Sequence, residues 1–114
     1  MYARIEAIEF PDLDGNWPSD TRHVRQAVTI VAGASDDSNQ ETFELQVCTP
    51  SKLAEILEGG ESFLVGRHWL FVQEFDPAEV ERYLRHRVGS ITGYSWNDVA
   101  EQIGRIGQWE FASR

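Results

Sequence analysis

The stretch from Gly66 to Val88 constrains the fold more than any other, because it predicts a strand that runs directly into a helix. Between Trp69 and Phe75, large apolar side chains occupy both alternating sides of the chain. A strand tolerates this pattern only when both of its faces are covered. We therefore predict a buried strand over Arg67 to Phe75, in a central position of a sheet.

The helix that follows is predicted to begin at Asp76 and Pro77. An aspartate carboxylate accepts hydrogen bonds from the free N–H groups at a helix start, and proline suits the first helical position because its missing N–H costs little there. Val80, Leu84 and Val88 then recur at helical spacing, so one stripe of this helix is expected to face the sheet.

The remaining elements follow from periodicity, capping residues and turn residues. Apolar alternation and β-branched residues predict further strands, which span Tyr2 to Phe10, Val24 to Ala34, Phe43 to Val47 and Trp109 to Phe111. Capping patterns predict two more helices, one from Pro50 to Glu58 with Thr49 as its cap, and one that follows the cap Ser95 and ends near Gly104 to Gly107. The polar turn from Asp36 to Gln40 should join the second and third strands as a hairpin.

These elements predict an α+β fold in a single domain over residues 1–114. The strict alternation in Phe43 to Val47 needs a sheet with one covered face, whereas Trp69 to Phe75 needs two covered faces. A mainly antiparallel sheet of four or five strands, with helices packed on one face, provides both environments. The expected order of elements is β-β-β-α-β-α-α-β.

The charge balance limits the classes of partner. Ten Lys and Arg stand against 19 Asp and Glu, and a formal charge of −9 opposes binding to nucleic acid and to anionic membranes.

The first ten residues lack the pattern of a signal peptide, and no apolar run approaches the roughly 20 residues of a membrane span. With one cysteine, no intrachain disulfide can form, so a reducing cytoplasm is the expected compartment.

Residues that could carry chemistry are few. Three histidines, His23, His68 and His86, lack metal-binding spacing, and the acidic segment from Asp12 to Asn16 lacks the spacing and closing Glu of a calcium loop. We therefore expect no metal, no cofactor and no catalysis. The alternative is a small intracellular enzyme or a metal-binding accessory domain that uses Cys48, at a predicted helix start, or the histidines.

A set of motifs in a fixed order resembles the Immunity protein 8 family. The set comprises Phe43 to Leu53 with its Cys-Thr-Pro step, Gly66 to Val72 leading to Phe75-Asp76, Tyr94-Ser95-Trp96 and Trp109-Glu110-Phe111. Members of that family are encoded beside toxins in bacterial polymorphic toxin systems and are taken to neutralise them. The resemblance implies an immunity protein whose partner is a cognate toxin domain, and it implies no catalytic residues.

The partner-binding residues are predicted from charge and exposure. An inhibitor of a basic toxin, such as a nuclease, needs an acidic rim around aromatic anchors, because rim charges speed encounter and buried aromatics supply affinity. The first hairpin and its loops offer such a set. We therefore predict that the toxin contacts Asp12, Asp14, Trp17, Asp20, Asp36, Asp37, Glu41 and Glu44.

Overall fold

The computed structural model describes residues 1–11, 13, 18–60 and 62–110. Its elements follow the predicted order: β1 (Ala3–Glu9), β2 (Arg25–Ala34), β3 (Glu41–Cys48), α1 (Pro50–Gly59), β4 (Trp69–Phe71), α2 (Pro77–Gly89), α3 (Trp96–Ile103) and β5 (Gln108–Trp109). The α+β class is confirmed. None of the described helices has the length and apolar composition of a membrane span.

The sheet has five strands and is mostly antiparallel, as predicted. β1, β2 and β3 form an antiparallel meander, in which β2 and β3 are the predicted hairpin. The far edge of β3 is shared by two short strands. β4 pairs in parallel with its end from Gln46 to Cys48, and β5 pairs in antiparallel fashion at Phe43 and Glu44.

The prediction of a central, doubly covered strand before α2 is wrong. β4 has only three residues and pairs with β3 at the sheet edge, where Phe71 keeps 49% of its surface exposed. The chain turns away after Val72, whose N–H still donates to the carbonyl oxygen of Cys48, and the Phe75 N–H donates to the carbonyl oxygen of Thr21 instead of a strand neighbour. Phe75 is buried, with its ring centroid 6.1 Å from that of Phe10. The apolar residues of this stretch therefore do not share one buried strand: Phe71 is half-exposed at the sheet edge, whereas Phe75 lies in the core.

The core lies between one face of the sheet and two helices. The even positions of β2 and the odd positions of β3 supply its largest sheet residues, among them Ile30, Phe43 and Leu45. The predicted stripe of α2 packs against them, and α3 adds a second apolar face; the buried residues are Val80, Leu84 and Val88 from α2, and Val99, Ala100 and Ile103 from α3. α1 contributes no buried residue.

Two of the three predicted helix caps are confirmed. Asp76 accepts a hydrogen bond from the N–H two residues later at 3.0 Å, and Ser95 accepts one from the N–H three residues later at 3.2 Å. Thr49 occupies the cap position of α1, but its buried hydroxyl accepts from the N–H of Val24 at 2.9 Å. Through this hydrogen bond, Thr49 connects the end of β3 to the start of β2, and its side chain does not cap the helix.

Candidate partner-binding surface

The predicted acidic residues flank β2 at its two ends. Asp20 precedes the strand, whereas Asp36 and Asp37 follow it, and all three are exposed. A strand of ten residues spans roughly 30 Å, so one partner can contact both groups only across the whole sheet. The predictions at Asp12, Asp14 and Trp17 lie outside the described residues.

Glu41 and Glu44 lie on opposite faces of β3, since side chains alternate along a strand. Glu41 is half-buried on the helix side and accepts a hydrogen bond from the indole N–H of Trp96 in α3. Glu44 is exposed on the other face of the sheet, opposite Thr29 of β2. The structure therefore separates these two predicted partner-binding residues.

The face of the sheet that carries Glu44, which we call the open face, lies opposite α2 and α3. A groove of about 570 Å³ crosses it where β4 and β5 meet the edge of β3. Carboxylates and amides dominate its lining, and Arg67 is the cation among these residues; the polar lining residues are Thr29, Thr42, Glu44, Gln46, Arg67, His68, Gln108 and Glu110. The groove thus offers carboxylates and hydrogen-bonding groups to a polar or basic partner.

An exposed apolar segment lies beside the groove. Phe63 and Val65 are 73% and 74% exposed. The next residue, Gly66, packs close to Phe71, since a Cβ added at Gly66 would lie 3.8 Å from the Phe71 ring. We call Phe63, Leu64, Val65 and Phe71 the apolar rim. Contiguous exposed apolar residues of this kind mark interaction sites. The sequence prediction missed the rim, although a run of three apolar residues between polar and glycine positions is a usable signal.

The rim continues onto the open face through Trp69. Its ring stacks on that of Phe71, with centroids 5.9 Å apart and planes 21° apart. The guanidinium carbon of Arg25 lies 5.0 Å from the Trp69 ring centroid, within the range of a cation–π contact. These contacts hold the aromatic surface in a fixed orientation, which lowers the entropy cost of using it for binding.

Ser51, His23 and Glu55 contact one another in a way that invites comparison with a hydrolase triad. His23 Nδ1 lies 3.0 Å from the Ser51 hydroxyl and Nε2 contacts the Glu55 carboxylate. However, Ser51 donates its proton to the carbonyl oxygen of Arg22 at 2.7 Å, whereas a catalytic serine must give its proton to the histidine. The cluster therefore anchors the first turn of α1 to the segment before β2.

The charged side chains of this cluster lie at the protein surface. The hydrogen bond from Lys52 and the contact with His23 hold the pKa of Glu55 below its usual range. Both partners stabilise the charged carboxylate, which in turn keeps α1 tethered. The contact between Lys52 and Glu55, which lie one helical turn apart, is thus both a hydrogen bond and an ion pair.

Cys48 and the histidines do not form a reactive group among the described residues. Cys48 is buried, and burial raises the pKa of its thiol, with the positive charges of Arg25 and Lys52 opposing that shift only in part. A raised pKa disfavours the nucleophilic thiolate. Within the described ranges, no three His, Cys, Asp or Glu side chains come together so as to hold a metal ion.

The comparison with protein families identifies the chain. The family model of Immunity protein 8 matches residues 3–113 of the 114 residues. The match extends through β1 and β2, well beyond the motifs from Phe43 onward that carry the resemblance in the sequence. No curated protein and no solved structure gives a significant match. Since the family model covers nearly the whole chain, the protein belongs to the Immunity protein 8 family.

Proposed function

We propose that this protein neutralises a cognate bacterial toxin by binding it, without catalysis. Membership of the Immunity protein 8 family over residues 3–113 carries this proposal, because the family implies immunity against a toxin. The chemistry of the described residues is consistent with it. The buried Cys48 and the structural contacts of His23 and His68 leave binding as the activity that the described surface supports best.

The proposed toxin-binding surface is the open face together with the acidic loops at its two ends. Glu44 and Glu110 supply carboxylates in the groove, while the hairpin turn adds Asp36 and Asp37 at one end and Asp20 stands at the other. Asp12, Asp14 and Trp17 precede Asp20 in the chain and belong to the same proposal. The apolar rim would supply the desolvated anchors that carry most of the affinity.

A basic toxin domain fits this surface best. The chain carries a formal charge of −9, so a partner of positive charge is attracted at long range and oriented as it approaches. Screened rim charges then contribute mainly to the association rate, and the aromatic residues slow dissociation. A nuclease domain, which must itself bind phosphate backbones, is one class of toxin with the required charge.

Expression beside the product of the neighbouring gene tests the function. The neighbouring gene product should arrest growth when it is expressed alone, and growth should recover when this protein is co-expressed. A pull-down should then recover the two chains in equal amounts, as expected for inhibition by stoichiometric binding. A neighbour without toxicity, or toxicity that co-expression leaves unchanged, would show that the proposed function is wrong.

A further inference from the structure

Three arginines from separate parts of the chain line one small cavity on the helix side of the sheet. Arg67 lies in the turn before β4, Arg87 lies in the last turn of α2, and Arg105 follows α3. The cavity opens to solvent, since all three arginines are exposed, and it has a volume of about 280 Å³. Tyr83 and Leu84 of α2 form part of its wall. Arg67 and His68 also line the groove of the open face, but none of the described acidic residues of the proposed toxin contact lines this arginine cavity.

The cavity is positive although the chain as a whole is strongly acidic. The sequence has 19 Asp and Glu and ten Lys and Arg, yet none of the described residues that line the cavity is acidic. In the part of the chain that the structure describes, Arg4, Arg22 and Arg85 form ion pairs with glutamates, whereas the three cavity arginines form none. Within the described residues, therefore, no ion pair neutralises these three charges.

The two helix ends nearby do not use these guanidinium groups. Helix C-termini attract cations through their free carbonyl groups. At the end of α2, the backbone N–H of Ser90 donates to the carbonyl oxygens of His86 and Val88. At the end of α3, the carbonyl oxygen of Gly104 accepts from His68 Nε2 at 2.7 Å. Other groups thus pair with the carbonyls of His86, Val88 and Gly104, and no described residue accepts a side-chain hydrogen bond from the three cavity arginines.

We propose that the arginine cavity binds the oxoanion of a small ligand, either a phosphate or a carboxylate. The planar guanidinium group presents paired N–H donors that match two oxygens of such an anion, and three guanidinium groups can surround it. The volume lies just below the range of ordinary ligand pockets, so a small ligand fits it. Tyr83, Leu84 and Ile106 provide an apolar wall for the uncharged part of that ligand.

The test is a titration of the isotope-labelled full chain with inorganic phosphate and, separately, with acetate, followed by backbone NMR at constant ionic strength. Saturable shifts are expected at residues 66–69 and 103–106, which line or adjoin the cavity. The variant Arg87→Gln/Arg105→Gln should bind at least about tenfold more weakly, because it loses two charge-assisted contacts. The stronger of the two probes identifies the preferred class of oxoanion.

The matched control is Arg82→Gln/Arg85→Gln, which removes the same charge from α2 at residues outside the cavity lining. It should bind like the unaltered chain. Arg105→Gln alone should show a smaller loss of affinity, and it keeps the test valid if the double variant fails to fold. Shifts that do not saturate with either probe, or equal affinity in the cavity variant and the control, would overturn the proposal.

Discussion

His68 Nε2 lies 2.7 Å from the carbonyl oxygen of Gly104, and this contact joins the end of α3 to the edge of the sheet. The backbone of His68 completes the connection, since its carbonyl oxygen accepts from the N–H of Gln46 in β3 at 2.9 Å. A carbonyl oxygen can only accept, so the imidazole donates this hydrogen bond through Nε2–H. The residue has a φ of 61°, a left-handed conformation that histidine adopts less readily than glycine.

The variants His68→Ala and His68→Gly should differ in stability. Both lose the hydrogen bond to Gly104, which is expected to cost about 1 kcal/mol of unfolding free energy. Only glycine removes the backbone penalty of the positive φ, which is about 1 kcal/mol for residues with a Cβ. Chemical denaturation should therefore find His68→Gly about as stable as the unaltered chain and His68→Ala about 1 kcal/mol less stable. An alanine variant as stable as the glycine variant would show that this φ carries no strain.

The elements of the fold were predictable because local signals agree with the tertiary structure. The alternation of Phe43 to Val47, the cap at Asp76 and the stripe of α2 all report contacts that the structure makes. The position of β4 was not predictable from its apolar content. A stretch with apolar residues on both sides predicts burial on both sides, but Trp69 and Phe71 cover each other at an exposed edge instead.

The candidate surface was predictable only in part. Glu41 and Glu44 are an odd number of residues apart on one strand, so the alternation of side chains already places them on opposite faces. The groove depends on β4 and β5 sharing one edge of β3, which is a pairing between distant parts of the chain. No local pattern in the sequence specifies that pairing.

The thiol of Cys48 should react slowly. Its side chain is buried and its pKa is raised, so a thiol reagent must wait for local opening of the structure. An opening cost of about 1.4 kcal/mol or more slows the reaction at least about tenfold relative to the unfolded chain. Ellman's reagent, added with and without denaturant, measures the ratio of the reaction rates of the unfolded and folded chains.

The variant Cys48→Ala should still protect against the toxin, and loss of protection in a folded Cys48→Ala chain would favour an enzymatic role.

The tether of α1 should weaken in acid. Folding lowers the pKa of the Glu55 carboxyl. The contribution of this carboxylate to stability is therefore fully present above the pKa that Glu55 has in the unfolded chain, about 4.3. That contribution is lost as pH falls through the lower, folded value. Glu55→Gln should remove this part of the acid dependence while it leaves the rest of the pH profile in place. The matched control Glu58→Gln, on the same helix, should keep the profile of the unaltered chain.

The apolar rim should govern how long the toxin stays bound. Phe71→Ala removes a half-exposed ring, so the protein should lose at most about 1 kcal/mol of stability. A buried aromatic anchor contributes about 2 kcal/mol or more to binding, which predicts dissociation from the toxin that is at least about thirtyfold faster. Surface plasmon resonance measures this rate. Tyr94→Ala, which removes a fully exposed ring elsewhere on the molecule, is the control and should leave dissociation unchanged.

The acidic hairpin turn should govern how fast the toxin binds. Asp36→Asn/Asp37→Asn removes two exposed charges, and we expect association about threefold to tenfold slower at low salt. The difference should shrink as salt rises, because the screening length falls from about 30 Å at 0.01 M to about 8 Å at 0.15 M. Stopped-flow measurements over this range of ionic strength test both statements.

A control with the same change in net charge separates local steering from overall charge. Glu79→Gln/Glu101→Gln removes two exposed carboxylates from α2 and α3, on the side of the sheet opposite the open face. If the toxin approaches the open face, the control should slow association less than the hairpin variant does, although both chains carry the same net charge. Equal rates for the two variants at every salt concentration would mean that net charge alone attracts the toxin. In that case the contact surface would have to be sought away from the hairpin turn, beginning with Trp17 and the residues around it.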